Sequence, residues 1–303
     1  MAEHRRHIAL SMGMISYVEW TPVVETGSPV LLLHGGGTDS ATLSWGELAP
    51  ALTAAGHRVV APDHPGFGRS PRLHDPLTQE RLAEYLAEFI DALALDDYVI
   101  AGLSMGGGLT ISHLLTQPRR ARGAVLLGTY GVMPRVTDGR FSALTHYLTF
   151  LLLRTGLLSA VTAAYSRSPA SMERGLKDIV RTERARTPAL LAAVMAEAKT
   201  GTGLAAFGEW QRDQVLWNRL RSVYIDRLPT ITVPVLLVHG EQDRGVPLAR
   251  VESAAAAIPH ATLTVVPGAG HWVQRDRPDI VIPAVLGLLR RIDRATPPGS
   301  EST

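Results

Sequence analysis

The chain reads as an α/β fold: a mostly parallel central sheet, helices on both faces, and a helical segment inserted between two strands. Three observations carry that reading. Short apolar runs such as Val30-Leu31-Leu32-Leu33, Tyr98-Val99-Ile100-Ala101 and Pro234-Val235-Leu236-Leu237-Val238-His239 show no polar alternation, as strands covered on both faces require. Stretches with apolar residues at three-to-four spacing separate these runs. The alternation stops near Gly131, where helical stretches take over as far as Leu228, and it then resumes.

Taken in order, His7 to Trp20 alternates around Gly13 and predicts a strand hairpin. The strand at 30–33 is followed by a helix expected from Trp45 to Ala55 and a strand from His57 to Pro62. Asp63 to Ser70 is a glycine-proline turn that Asp63 orders by hydrogen bonding, with His64 a loop histidine near the mouth. Thr78 can cap a helix running to Leu93, whose Leu82, Tyr85, Leu86, Phe89, Ile90 and Leu93 form one apolar stripe. A strand, a helix stopped by Pro118, and a strand from Gly123 to Tyr130 complete the first half. Residues 1–131 and 229–294 are thus expected to form the core, 132–228 a helical cap, and 295–303 a flexible tail. Within the cap, Phe141 to Tyr165 is unusually apolar, but His146, Arg154 and several hydroxyl residues interrupt it before a membrane span of about 20 residues accumulates. The arginines at 167, 174, 181, 184 and 186 read as a solvated helix face.

The most informative stretch is Gly102-Leu103-Ser104-Met105-Gly106, between a strand and a helix. A serine flanked by glycines at −2 and +2 is the pattern of a nucleophile elbow: the turn leaves no room for side chains beside it and holds the hydroxyl above the sheet. The Met105 amide, at the start of the helix, points to where negative charge would develop. Two later strands end in Gly240-Glu241-Gln242-Asp243 and Pro267-Gly268-Ala269-Gly270-His271-Trp272. Alone, Asp243 could cap a turn and His271 could sit in a surface loop. Placed jointly after successive strands, behind the elbow, they predict a Ser104–Asp243–His271 triad at the C-terminal ends of the strands. The first buried strand ends in His34-Gly35-Gly36-Gly37, whose bare backbone suits a second oxyanion donor, Gly36 first and Gly37 second. His34 organises this loop and, with Leu103 and Trp272, is assigned to the border of the substrate pocket. The run from Gly35 to Ser40 also resembles a dinucleotide fingerprint, but its third glycine is missing and the elbow would go unexplained.

Composition narrows the chemistry. The 303 residues are 46% hydrophobic and 19% charged, enough for one substantial core. The net charge of +2 gives no case for nucleic acid as partner. Lys177 and Lys199 are the only lysines and neither sits near a motif, which disfavours phosphate-loop and Schiff-base chemistry. With no cysteine there is no disulfide, zinc–thiolate or iron–sulfur site, and the eleven histidines show no metal-ligand spacing. The residues imply no metal and no cofactor. The first residues lack an apolar signal region, so a cytoplasmic location is the default. A small-molecule substrate is the expected partner, and a homo-oligomer is left open.

Together the motifs resemble the α/β-hydrolase superfamily, over essentially the whole chain except the cap. Members with an aspartate nucleophile are disfavoured by Ser104. The His34–Gly37 loop, Ser104-Met105-Gly106-Gly107, His271-Trp272-Val273-Gln274 and Asp243-Arg244-Gly245-Val246-Pro247 are similar to those of the meta-cleavage-product hydrolases, which cut carbon–carbon bonds. Those proteins have asparagine before the nucleophile, where this chain has Leu103, and continue the loop Pro-Gly, where it has Thr38-Asp39; their cap arginine has no match here. The elbow also resembles those of small esterases and cofactor-free haloperoxidase-type hydrolases. The resemblance therefore implies a serine hydrolase, with a small to medium apolar carboxylic ester as the expected substrate. Carbon–carbon hydrolysis, or a ligand-binding receptor on the same fold, is the alternative.

Overall fold

A computed structural model describes residues 1–295; of the tail expected at 295–303, residues 296–303 lie outside the described residues. Eight strands form one sheet: β1 (Ala2–Leu10), β2 (Gly13–Thr21), β3 (Val30–Leu33), β4 (Val59–Pro62), β5 (Tyr98–Leu103), β6 (Ala121–Leu127), β7 (Val235–Gly240) and β8 (Ala261–Val266). Their order is β1-β2-β4-β3-β5-β6-β7-β8. The hairpin β1–β2 and its pairing with β4 are antiparallel, and every other pairing is parallel.

The helices of the body are α1 (Ala41–Trp45), α2 (Leu48–Ala54), α3 (Gln79–Ala92) and α4 (Met105–Thr116), then α10 (Leu248–Ala257), α11 (Val273–Asp276) and α12 (Pro278–Arg294). Between β6 and β7 come α5 (Ser142–Arg154), α6 (Leu157–Ser166), α7 (Pro169–Ile179), α8 (Pro188–Thr200) and α9 (Thr202–Gln214). The region expected to lack strands holds only one isolated bridge, Val215 to Leu220.

The two-residue period of a strand sorts the core into two layers. Leu31, Leu33, Ile100, Ala124, Leu126 and Leu237 pack with Leu82, Leu86 and Phe89 of α3 and Leu109 of α4. Val30, Leu32, Val99, Ala101, Leu103, Val125, Leu127 and Val238 pack with Trp45, Leu48 and Leu52 of α1–α2 and with Val285, Leu288 and Leu289 of α12. Each such buried side chain contributes about 1.5–3 kcal/mol relative to exposure, which is why these strands read as unbroken apolar runs.

One helix differs from expectation. The segment expected to be a single helix from Trp45 to Ala55 is two helices broken at Gly46–Glu47, and the first begins earlier, at Ala41. The cause is tertiary. Ser40 caps α1 by accepting from the Leu43 amide, and Asp63, from the turn after β4, accepts from the Ala41 amide at 2.9 Å. Asp63 also accepts from the Arg69 amide and pairs with Arg5, so it orders its turn as expected. The capping of α3 by Thr78 is as read from the sequence. In the insertion, Ser168 and Thr187 cap α7 and α8 with Pro169 and Pro188 at the first helical positions.

Candidate active site

Ser104, directly after β5, has a conformation few non-glycine residues adopt, φ 50° and ψ −113°. Its amide donates to Leu127 O at 2.9 Å, and its carbonyl accepts from the Gly108 and Tyr130 amides, both at 3.0 Å. These bonds hold a backbone strained by about 1–3 kcal/mol. The flanking glycines are needed for space. A Cβ on Gly102 would lie 2.2 Å from Gly106 O, and one on Gly106 would lie 2.3 Å from Leu33 O. Backbone cannot yield to either. Met105 is the first residue of α4, so no earlier turn of that helix takes its amide.

Asp243 and His271 come from the loops after β7 and β8. The buried Asp243 Oδ2 accepts from His271 Nδ1–H at 2.8 Å, while Oδ1 accepts from the Gly245 and Val246 amides at 2.7 and 3.1 Å. His271 Nε2 is thereby left as the basic nitrogen. Burial works against the imidazolium, but the charge and hydrogen bond of Asp243, with a further contribution from Asp39, outweigh it and raise the His271 pKa above the ordinary histidine value. Burial works against the Asp243 carboxylate too, and the positive charge of His271 overcomes that and lowers its pKa. Ser104 Oγ has no hydrogen-bond partner among the described residues, although Ser104 and His271 border one cavity. Such a link commonly tightens only when substrate is bound. An imidazole steered by a carboxylate beside a serine can accept the hydroxyl proton and later return it to a leaving group.

The loop after β3 is held by a carboxylate. Asp39, fully buried, accepts from the Gly35 amide (2.8 Å), its own neighbour Ser40 (2.8 Å) and the Ser44 hydroxyl. Burial pushes its pKa up to about 6 against the pull of those donors. Gly35 is therefore spent. The amides of Gly36 and Gly37 have no partner among the described residues, and the ring of Phe207 occupies the space that a Gly36 side chain would need, 2.2 Å from an added Cβ.

Three residues expected at the pocket border lie elsewhere. His34 is fully buried: Nδ1–H donates to Gly35 O at 2.7 Å and Nε2 accepts from the His64 amide at 3.0 Å. Burial takes its pKa down to about 3, so it stays neutral and organises the loop. Leu103 belongs to the α1–α2–α12 layer because the strand period turns it there. Trp272 packs in the same layer beside Met172, Leu176 and Val180, its amide bonded to Ile179 O. None of the three borders the cavity at Ser104. His64, expected near the mouth, is also fully buried, with Nδ1 accepting from the Tyr85 hydroxyl and Nε2–H donating to His34 O.

The cavity walls come largely from the insertion. A space of about 180 Å³ is bordered by Ser104, Met105 and His271 below and by Phe207, Trp210, Gln211, Gln214, Val215 and Leu220 above. Phe207 stacks on Trp210 at 5.6 Å, and Trp210 meets Tyr130 edge-on at 4.9 Å. Trp210 Nε1–H donates to Gln79 Oε1, tying the insertion to α3. A larger space of about 520 Å³ lies within the insertion and shares Phe207 and Gln211 with the first.

The family model described as alpha/beta hydrolase fold matches residues 28–278, a span containing every residue of this site. The chain belongs to the α/β-hydrolase fold family. This α/β-hydrolase is 31% identical to 2-hydroxymuconate semialdehyde hydrolase of Pseudomonas putida over 280 residues, covering 88% of the chain and 89% of that protein. It is 31% identical to 2-hydroxy-6-oxo-2,4-heptadienoate hydrolase, also of Pseudomonas putida, covering 83% of the chain and 85% of that protein. In structure it is similar to a meta-cleavage product hydrolase from Pseudomonas fluorescens, with a TM-score of 0.77 at 24% identity, covering 94% of the chain and 97% of that one.

Three polar residues of this α/β-hydrolase escaped the sequence reading. Asp39 was visible as a carboxylate directly after a glycine loop. His239, at the end of β7, lies behind the acid, its Nε2–H donating to Val246 O at 3.0 Å and standing 3.7 Å from Asp243 Oδ2. A histidine closing an apolar run was the signal. Asp276 had none: it accepts from the Gly270, Arg181 and Thr182 amides at 2.7, 2.7 and 2.6 Å, binding the loop of His271 to the insertion across about a hundred residues of chain. Among the described residues no cluster of three His, Cys, Asp or Glu side chains could hold a metal, and no helix is long and apolar enough to cross a membrane.

Proposed function

We propose that the protein is a serine hydrolase acting through Ser104, His271 and Asp243, and that its substrate is a ring-fission acid cleaved at a carbon–carbon bond beside a ketone. The observation that carries the chemistry is the 2.8 Å bond from His271 to the buried Asp243, on the cavity that also holds the strained Ser104. The substrate class rests on the two relatives at 31% identity, whose names are those of hydrolases of semialdehyde and oxo-dienoate acids.

His271 Nε2 takes the hydroxyl proton as Ser104 Oγ attacks the carbonyl carbon. The amides of Met105 and Gly36 hold the resulting oxyanion, with Gly37 the next candidate donor; one such donor is worth roughly 3 kcal/mol of barrier. With the acid in its keto form, in which the leaving carbon is saturated and adjoins an enone, collapse breaks the bond from the carbonyl carbon to that carbon; the electron pair passes into the enone as a dienolate, which takes back the proton from His271. Water, deprotonated by His271, then attacks the acyl-enzyme and releases the second acid and Ser104. The helical insertion acts as the cap that dries this cavity.

Ester hydrolysis is the second reading, favoured by one observation: no arginine or lysine borders the cavity, so a substrate carboxylate would meet no cation there. The two differ only in the leaving atom. The test compares kcat/KM for a dienoate ring-fission analogue with that for a nitrophenyl ester series, using Ser104→Ala as blank. Faster Ser104-dependent turnover of the dienoate is expected. Preference for the esters would replace the substrate class while keeping the triad. Tight ligand binding without turnover would mean a receptor and overturn both.

A further inference from the structure

Helix α5 presents its apolar side to the outside. Only His146 and Leu153 are buried along it, seven residues apart and so on one line of the helix. On the opposite side, Phe141, just before the helix, and Leu144, Tyr147, Leu148, Leu151 and Leu152 span an arc of about 140° at 3.6 residues per turn. All six are exposed, Phe141 to 64% and Leu144 to 57%. Leu157 and Val161 of α6, both exposed, extend the patch. An apolar face of this size, turned away from the core, marks a docking surface.

The charges around it select the partner. Between Gly139 and Met172 the sequence holds no aspartate or glutamate, and its only charged residues are Arg140, Arg154 and Arg167. None of the three forms an ion pair among the described residues. The guanidinium groups of Arg140 and Arg154 lie over the rings of Phe141 and Phe150, each at 5.1 Å, and Arg154 also donates to Arg212 O at 3.2 Å, so both charges are held at the edge of the apolar surface. A helix that sets leucine and aromatic side chains toward one side, rimmed by arginine, has the composition of an element lying in a lipid headgroup layer. A second copy fits less well, because an isologous contact would press the same arginine-bearing face against itself.

We propose that the outward face of α5 and α6 docks on the surface of an anionic lipid bilayer. The 13 residues of α5 are about 20 Å long at 1.5 Å per residue, lying in the interface rather than spanning it. Directly behind this face Leu153 and Leu158 border the 520 Å³ space that shares Phe207 and Gln211 with the catalytic cavity, so docking sets an apolar route toward Ser104 against the lipid. The inference stands whichever bond Ser104 breaks.

The test is co-sedimentation of the full chain with vesicles of phosphatidylcholine alone or mixed equally with phosphatidylglycerol. Binding to the anionic vesicles is expected to be about a hundredfold tighter, about fivefold for each of the three arginines, and to weaken as salt rises. The double substitution Leu148→Glu with Leu151→Glu should lose that binding while the fold, followed by circular dichroism, and turnover of a soluble substrate stay as in wild type. Arg140→Gln with Arg167→Gln should remove the preference for anionic lipid and retain weak binding to both vesicles. Equal binding of wild type to the two vesicles, or none to either, overturns the proposal. So does a dimer in analytical ultracentrifugation that Leu148→Glu dissociates without any lipid binding, which would assign the face to a second copy.

Discussion

Ser104 and His271 occupy environments that make their chemistry testable one residue at a time. Ser104→Ala is expected to lower kcat by at least about ten-thousandfold with an unchanged melting temperature, since the hydroxyl takes part in no hydrogen bond that holds the fold. Wild-type-like turnover in the purified variant would reject the nucleophile. For His271 the Asp243 carboxylate raises the pKa, so the imidazole is protonated, and useless as a base, up to a higher pH than an ordinary histidine. The profile of kcat/KM against pH should therefore fall on the acid side with a midpoint above the ordinary histidine value. Asp243→Asn removes the raising charge and should move that limb to lower pH in whatever activity remains. An acid limb that stays put would separate the base from Asp243.

At the scale of elements, the loops that carry the site are tied to one another by buried carboxylates. Asp39 draws the Gly35 amide inward and leaves the Gly36 and Gly37 amides without a partner among the described residues, free to serve as the proposed oxyanion donors. Asp39→Ala should lower kcat by about 100-fold, up to the roughly 3 kcal/mol worth of one oxyanion donor, with KM little changed. A change confined to KM would mean that the loop binds substrate instead. Asp276 closes a longer circuit, from the loop of His271 to the strand-like segment between α7 and α8. Asp276→Ala leaves three amides without their acceptor and is expected to cost about 3 kcal/mol in urea unfolding, with a fall in kcat. Loss of stability at full kcat would make it a strut alone. The elbow and the cap of α3 were legible in the chain because a glycine two residues from a serine, or a threonine before a helix, acts on its immediate neighbours. The split of α1 from α2 was not, since the carboxylate that starts α1 early belongs to Asp63.

Over the whole molecule, buried histidines set the response to acid. Burial holds His34 at about 3, His113 at about 4 and His64 well below the ordinary 6.5. Above 6.5 these groups are neutral folded or unfolded and contribute nothing to the pH dependence. As pH falls below that value only the unfolded chain takes up their protons, so each costs about 1.4 kcal/mol per pH unit until its folded pKa is reached. Asp39 acts in the opposite sense: its pKa of about 6 in the fold exceeds the ordinary 3.8, so acidification through that window favours the folded chain and offsets one histidine. Stability should therefore decline between about pH 6 and about pH 4. His113→Gln, at a site where Nε2 accepts from Tyr98 OH at 2.6 Å, should flatten that decline by about one histidine's share. Melting temperatures recorded across this range will show it, and an unaltered slope would remove His113 from the account.

What the chain determines by itself are features written in neighbouring residues: strands covered on both faces, the serine turn, and the order serine, acid, histidine along successive strand ends. What only the tertiary structure decided are meetings between distant residues and the side on which a residue emerges. Leu103 follows a readable strand, yet the two-residue period turns it into the core. Trp272 follows a readable histidine, yet packs under Met172 and Leu176 of the insertion. The cavity roof of Phe207, Trp210 and Gln214, the clamps at Asp39 and Asp276, and the outward face of α5 arise where elements far apart in sequence meet or fail to meet. Local sterics act over a few residues and leave a signature there; packing partners are chosen by the assembled fold, so no spacing along the chain records them.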